Sequence, residues 1–281
     1  MHKKHSLGLN AVLNGFKNLL NLFFSLLTFP YVTRVLSVTE IGIVNFANNY
    51  VNYFVLLAGL GIATYAVREG AKYRGQQAKL NQFASQVFSI NVLAMVMSYV
   101  LLLASLLVFK NLRNYVSCIL IFSLQLFFTT LGTEWVYTIY ENYSYITLRS
   151  IVFKIISLIL LFVLVRSPAD YLWYAAINVF AGVGVNLLNW FHARSFIQIK
   201  FNFSVNWRQH LRPILVIFAS TVVVTIYVSY DITLLGGMEN DYTVGIYTVV
   251  VKLCHIVQGV LAAILTVVIP RLAWLWGKKD A

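Results

Sequence analysis

Long apolar runs separated by short polar turns recur along the chain, at residues 7–32, 41–63, 83–109, 115–139, 150–166, 170–191, 213–237 and 244–270. Each is about 17 residues or longer, enough to cross a hydrocarbon core of about 30 Å as a helix. Lipid offers no partner to open backbone groups, so the pattern predicts an all-α, polytopic bundle of about eight transmembrane helices. Two of these runs are not uniformly apolar. In "GLNAVLNGFKNLLNLFF" (8–24), Asn10, Asn14, Lys17, Asn18 and Asn21 fall within an arc of roughly 100° on a helix. In "IVNFANNYVNYF", Asn45, Asn48, Asn49, Asn52 and Tyr53 occupy roughly 140° of the second helix. Such a stripe either hydrogen-bonds neighbouring helices, at about 0.6 kcal/mol per contact, or faces a wet cavity. Two adjacent stripes with a lysine between them favour the cavity.

Composition agrees, with 60% hydrophobic and 11% charged residues against the ~25% charged of an ordinary globular domain. The net charge of +12 sorts by loop. Counting loops alternately, fourteen of the 21 lysines and arginines fall on the side that holds both termini, four (Arg34, Lys110, Arg113, Arg166) on the other, and Lys17, Lys154 and Lys252 within spans. That bias predicts cytoplasmic termini, and it leaves no basic soluble face for nucleic acid. The basic start "MHKKHSLGLNAVLN" lacks a small-residue cleavage site and reads as a retained first span. Cys118 and Cys254 lie within spans, and the histidines show no metal-ligand spacing, so neither a disulfide framework, a metal site nor a cofactor is expected. The basic stretches 65–82 and 192–213 read as surface segments of amphipathic type.

Charges inside the spans are the candidate chemistry. Lys17 lies about 15 Å deep, where a lysine costs at least ~2.5 kcal/mol unless solvated or paired. It is a candidate cation for an anionic substrate, or one half of an internal ion pair. Lys154 is close enough to a span end to snorkel. Asp231 and Lys252 sit at similar depth in the last two spans, where they either pair or serve coupling and gating, with H+ or Na+ as the coupling ion. Glu134 and Glu141, at the inner end of the fourth span, are placed to form an inner gate with loop arginines or to cap a solvated helix end.

Several motifs carry a family resemblance. "FPYVTRVLSVTEIGIVNFANNYVNYFVLLAGLGIATYAVREGAKYR" (29–74) resembles the opening of the Wzx-type oligosaccharide flippases, the polysaccharide repeat-unit transporters. "EWVYTIYENYSYITLRS" (134–150) is similar to the family's pattern through Trp135, Glu141, Tyr145 and Arg149, although Thr138 and Ile139 stand where Gln-Gly is common. "DITLLGGMENDYTVGIYTVVVKL" (231–253) and "VVIPRLA" (267–273) resemble the family's Asp-x-x-x-Leu-Gly, Val-Gly-x-Tyr and Pro-Arg patterns.

The resemblance implies a two-lobed transporter, with residues 1–212 as the first lobe and 213–281 as the start of a second that stops after two helices. It implies movement of an undecaprenyl-diphosphate-linked oligosaccharide across a bacterial cytoplasmic membrane for capsule, exopolysaccharide or O-antigen assembly. A polysaccharide polymerase and glycosyltransferases are then the expected partners. On that reading Asn14, Lys17, Asn18, Asn21, Arg34, Asn45, Asn48, Asn49 and Asn52 line the substrate path, and Glu134, Glu141, Arg149, Asp231 and Lys252 couple or gate it. A small-molecule or drug antiporter of the same superfamily would share the helix pattern, and a nonfunctional remnant would share it too. An enzyme is disfavoured, because nine scattered acidic residues form no Asp-x-Asp cluster.

Overall fold

A computed structural model describes residue 20 and residues 23–202 and 205–277, with side chains through residue 259 and at 261. The described residues are helical throughout, joined by turns and short extended segments. After helix α1 (residues 23–35) come α2 (Val38–Gly59), α3 (Ile62–Gly70), α4 (Gln77–Val108), α5 (Val116–Gly132) and α6 (Glu134–Ile139). These are followed by α7 (Tyr143–Leu164), α8 (Tyr171–Ala193), α9 (Trp207–Met238) and α10 (Asp241–Gly277). Among the described residues six segments are long and apolar enough to cross a membrane: Val38–Tyr73, Gln77–Val108, Lys110–Ile139, Tyr143–Leu164, Pro168–Ala193 and Trp207–Met238. The chain is an all-α, multi-pass membrane bundle. Of the other two expected spans, the first lies largely outside the described residues and the last falls within α10.

The helix faces follow the patterning. Val96, Met97, Val100 and Leu103 on α4, and Ile155, Ile159 and Phe162 on α7, are exposed and form the lipid-facing surface. Behind them an outer core joins α2, α4, α5 and α8 through Val44, Ala47, Val51, Leu102, Phe122, Leu126 and Ala175. An inner core around Tyr65, Phe83, Val87, Val136, Tyr137 and Ile197 fills the end that carries the basic loops.

Two helix starts are fixed by side-chain caps. Ser37 caps α2 by accepting from the Glu40 amide at 3.4 Å, and Asn142 caps α7 through the Tyr145 amide at 3.4 Å. α4 and α7 begin six or seven residues before their apolar runs, because polar inner turns outside the hydrocarbon prolong them. The stretch 192–213 is not one amphipathic segment: α8 ends at Ala193, residues 197–202 are extended, and α9 starts at Trp207.

Two continuous runs turn out to be broken helices. Between α2 and α3 the backbone turns left-handed at Leu60 (φ 46°) and Gly61 (φ 68°), and between α5 and α6 at Thr133 (φ 40°). Positive φ is unusual for a side chain other than glycine, and here it ends one helix and re-aims the next.

α2 packs against α10 at a close crossing of their first turns. A Cβ added at Gly42 would overlap the Asp241 carbonyl oxygen, and one at Gly245 the Val38 carbonyl oxygen. Because both obstacles are backbone, Gly245→Val is expected to lower stability by about 2–3 kcal/mol, whereas Gly237→Ala, which meets nothing within 4 Å, leaves it near wild type. Thermal unfolding of the two purified variants in detergent checks the contrast.

Candidate functional site

The two helix breaks border a half-open cavity of about 670 Å³. α2 supplies Val55, Ala58 and Gly59; α3 supplies Ala63, Thr64, Val67 and Arg68; α4 supplies Asn91. Leu126, Thr129 and Thr130 of α5 and Glu134, Trp135 and Thr138 of α6 complete the wall. At 1.5 Å per residue, α2 and α5 place the breaks roughly 25–33 Å from the helix ends opposite the basic loops, about one hydrocarbon thickness away. Breaking α2 removes the helical acceptor role of the Ala58 carbonyl, and the buried Asn91 amide replaces it with a donor at 2.7 Å. At the other break Gly132 lies against Asn186 of α8, so closely that an added Cβ would overlap the asparagine side chain.

The cavity is mixed in character, with apolar walls, four threonines, one guanidinium and one carboxylate. Its size lies within the ~300–1,000 Å³ of ordinary ligand sites. Arg68 is exposed and lies 3.3 Å from Glu69. Glu134, 45% exposed on the cavity rim, is 3.7 Å from Arg149, whose side chain is 3% exposed. The Arg149 guanidinium packs over the Tyr137 and Tyr145 rings at 4.9 and 5.1 Å, and among the described residues none of its nitrogens has a hydrogen-bond partner. It is thus held by aromatic faces and by one carboxylate beyond hydrogen-bond distance. Glu141 pairs with Arg74 at 2.7 Å, and Arg74 also donates to the Tyr140 carbonyl at 3.0 Å, tying the loop after α3 to the end of α6.

A second polar set joins α2 to α9 and α10 nearer their outer ends. Asn45 donates to Thr248 at 3.1 Å, and Asn49 donates to the Ser229 carbonyl and the Thr233 hydroxyl, both at 2.9 Å. Tyr53 reaches the same two partners, and Tyr115 donates to Asp241. Two members of the asparagine stripe are therefore interhelical ties. Asn48 is half-buried and Asn52 exposed, and neither bonds to a described residue. Asp231 accepts from Tyr247 and from the Ile232 amide at 2.8 Å. Lys252 lies over the Phe29 ring at 5.6 Å, so the expected Asp231–Lys252 pair is not formed. Arg34 is exposed at the outer end of α1. Asn14, Lys17, Asn18 and Asn21 lie outside the described residues.

Thr64, Arg68, Asn91, Thr129 and Thr130 line the cavity without having been singled out by the sequence, and Thr138, noted only as a departure from the family pattern, joins them. Their signal was the punctuation of two apolar runs by Gly59-Leu60-Gly61 and Gly132-Thr133, which a hydropathy window averages away.

The half-exposed Glu134 and the buried Arg149 predict an asymmetry. Glu134→Ala strands a buried positive charge and is expected to cost about 1–3 kcal/mol, below the value for a fully buried pair because water reaches the carboxylate. Arg149→Met removes the buried charge itself and should cost less. Comparing thermal midpoints of the two variants decides it.

Residues 7–276 match the family model described as "Polysaccharide biosynthesis protein". A protein of Shigella dysenteriae and one of Escherichia coli (strain K12), each named "Putative O-antigen transporter", are 25% and 23% identical to the chain. The matches cover 92% and 90% of this chain and 65% and 61% of those proteins, so the chain spans less than two thirds of the relatives' length. No solved structure gives a significant match. The family match agrees with the motif resemblance, and it covers nearly the whole sequence: the chain belongs to the polysaccharide biosynthesis protein family.

Proposed function

We propose that this protein moves a lipid-linked oligosaccharide, carried on undecaprenyl diphosphate, from the inner to the outer leaflet of the bacterial cytoplasmic membrane, with its termini in the cytoplasm. The observation that supports this reading best is the cavity at the paired helix breaks. With the termini in the cytoplasm the cavity lies at the inner edge of the bilayer, where such a headgroup would enter, and its threonine hydroxyls, Asn91 and Glu134 are groups able to bond sugar hydroxyls. The polyprenyl tail needs no protein cavity and remains in lipid. Lys17 attracts the diphosphate, with Asn14, Asn18 and Asn21 beside it on the same face. Asn48 and Asn52 extend the polar path along α2, and Arg34 receives the anion at the outer mouth. Rocking of the first bundle against the helices from α9 onward gives alternate access.

Two uncompensated negative charges moving outward gain about 4–5 kcal/mol at ~100 mV, inside negative. Membrane potential or a counter-moving H+ or Na+ supplies the drive, and Asp231 with its Tyr247 partner is the carboxylate placed to couple the ion.

The test is a liposome assay in which a fluorescent undecaprenyl-diphosphate oligosaccharide is quenched from outside as it changes leaflet. Lys17→Ala and Thr64→Trp, the latter filling the cavity, are each expected to reduce the rate at least about tenfold, with Lys17→Arg retaining part of it. No leaflet exchange by the wild-type chain would overturn the transport reading. Full activity of Thr64→Trp at equal abundance would move the substrate path away from the cavity.

A further inference from the structure

The connection between α8 and α9 is bonded to α4 in a regular way. The backbone amides of Gln198, Lys200 and Asn202 donate to the side-chain oxygens of Asn81, Ser85 and Ser89, at 3.3, 3.0 and 2.9 Å. The donors recur every second residue of an extended segment and the acceptors every fourth residue of a helix. Two extended residues advance about 6.6 Å and four helical residues about 6.0 Å. The two repeats nearly coincide, so three successive bonds form without either partner bending. Ile197, just before the first donor, is 2% exposed, and Ile199, between the first two, packs on the same inner core.

The first turns of α9 are held to the same bundle. His210, 1% exposed, bonds Tyr65 of α3 through Nδ1 at 2.7 Å and Gln86 of α4 through Nε2 at 2.7 Å. With Nε2–H donating to the Gln86 carbonyl oxygen, neutral Nδ1 accepts from the tyrosine hydroxyl. Ile214 is fully buried. His210 and Ile214 are the buried residues of α9, which beyond them is exposed or half-buried along the rest of its 32 residues. Between the two stands Pro213, inside the helix. Proline has no N–H to give the Gln209 carbonyl, and its ring crowds that turn, making it the weakest point of the helix.

We propose that the extended strap 197–202 and the first turn of α9 through His210 are a fixed anchor of the first bundle, and that the rest of α9, from the buried Ile214 onward, pivots at the turn spanned by Gln209 and Pro213. The contact between bundle and moving helices is then the outer one, made by the polar set of Asn45, Asn49, Tyr53 and Tyr115 and by the packing at Gly42, Gly245 and Gly236, which rearranges, while the strap and His210 do not. Nothing in this depends on which substrate is carried, or on whether transport occurs in the assay above.

Distances between spin labels test it, measured by double electron–electron resonance on the full chain in lipid nanodiscs, with Cys118 and Cys254 replaced by alanine. Labels at Lys79→Cys and Gln209→Cys report the anchor; labels at Val108→Cys and Met238→Cys report the outer ends of α4 and α9. The expected result is one narrow distance for the anchor pair and two populations about 5 Å or more apart for the outer pair. Pro213→Ala should collapse the outer pair to one population and leave the anchor pair unchanged. Combined Ser85→Ala, Ser89→Ala and His210→Phe should broaden the anchor pair. An anchor pair that varies together with the outer pair would overturn the proposal, as would a single narrow outer distance in the wild type or an outer pair indifferent to Pro213→Ala.

Discussion

A backbone amide or carbonyl that leaves its helix within a bilayer needs a partner from the protein, and that constraint organises this molecule. α2 and α5 both interrupt their hydrogen-bond ladders, and each interruption is enclosed by other helices. The freed Ala58 carbonyl receives the Asn91 amide, and the α5 break is packed against α8 through Gly132 and Asn186. The inner core of Tyr65, Val136 and Tyr137 closes over both. The half-open space that the two breaks border is the cavity. The breaks also place Thr64 and Thr138 on the short helices that follow, re-aimed from the lines of the helices before them. One constraint thus accounts for the cavity's position and for the residues that line it.

The same accounting applies to charge. Arg149 is buried among aromatic rings with a carboxylate 3.7 Å away, a costly arrangement unless the cation is compensated. Compensation comes from the faces of Tyr137 and Tyr145 and from Glu134, which also stands on the cavity rim. A ligand that contacts Glu134 therefore perturbs the neighbour of a buried charge. That gives the cavity a physical link to the packing of α6 and α7, through Tyr137, Tyr145 and His192, whose rings stack within 5.7 Å of one another.

The spans and the polar face of α2 were legible because lipid-facing and protein-facing positions differ in hydropathy at helical period. Asn45 and Asn49 do lie on the face turned to α9 and α10. What that face would meet was not legible, since an asparagine toward a cavity and one toward a serine carbonyl leave the same trace. The pairing of Asp231 with Lys252 rested on depth alone. Depth ignores rotation about the helix axis, and the rotation present brings Tyr247 to the carboxylate and Phe29 to the ammonium. The cavity itself escaped because a helix break needs only two or three residues, and Leu60 and Thr133 are not residue types that announce positive φ. Glu134, Glu141 and Arg149 form two separate pairs that the sequence did not distinguish: Arg149 with Glu134, and the loop Arg74 with Glu141.

The two ends of α9 are joined to the first bundle by contacts of different kinds. At the outer end Asn49 and Tyr53 of α2 bond Ser229 and Thr233, at about 0.6 kcal/mol per contact in a membrane protein, Phe46 packs against Gly236, and α10 beside it interlocks with α2 at Gly42 and Gly245. Along this stretch every described side chain of α9 is exposed or half-buried. At the inner end Ile197 and His210 are buried, and separating that joint would strip an aliphatic side chain of its contacts and leave a ring with two unsatisfied nitrogens. The turn spanned by Gln209 and Pro213 lies between the two, and there a single continuous helix can be held at one end and released at the other.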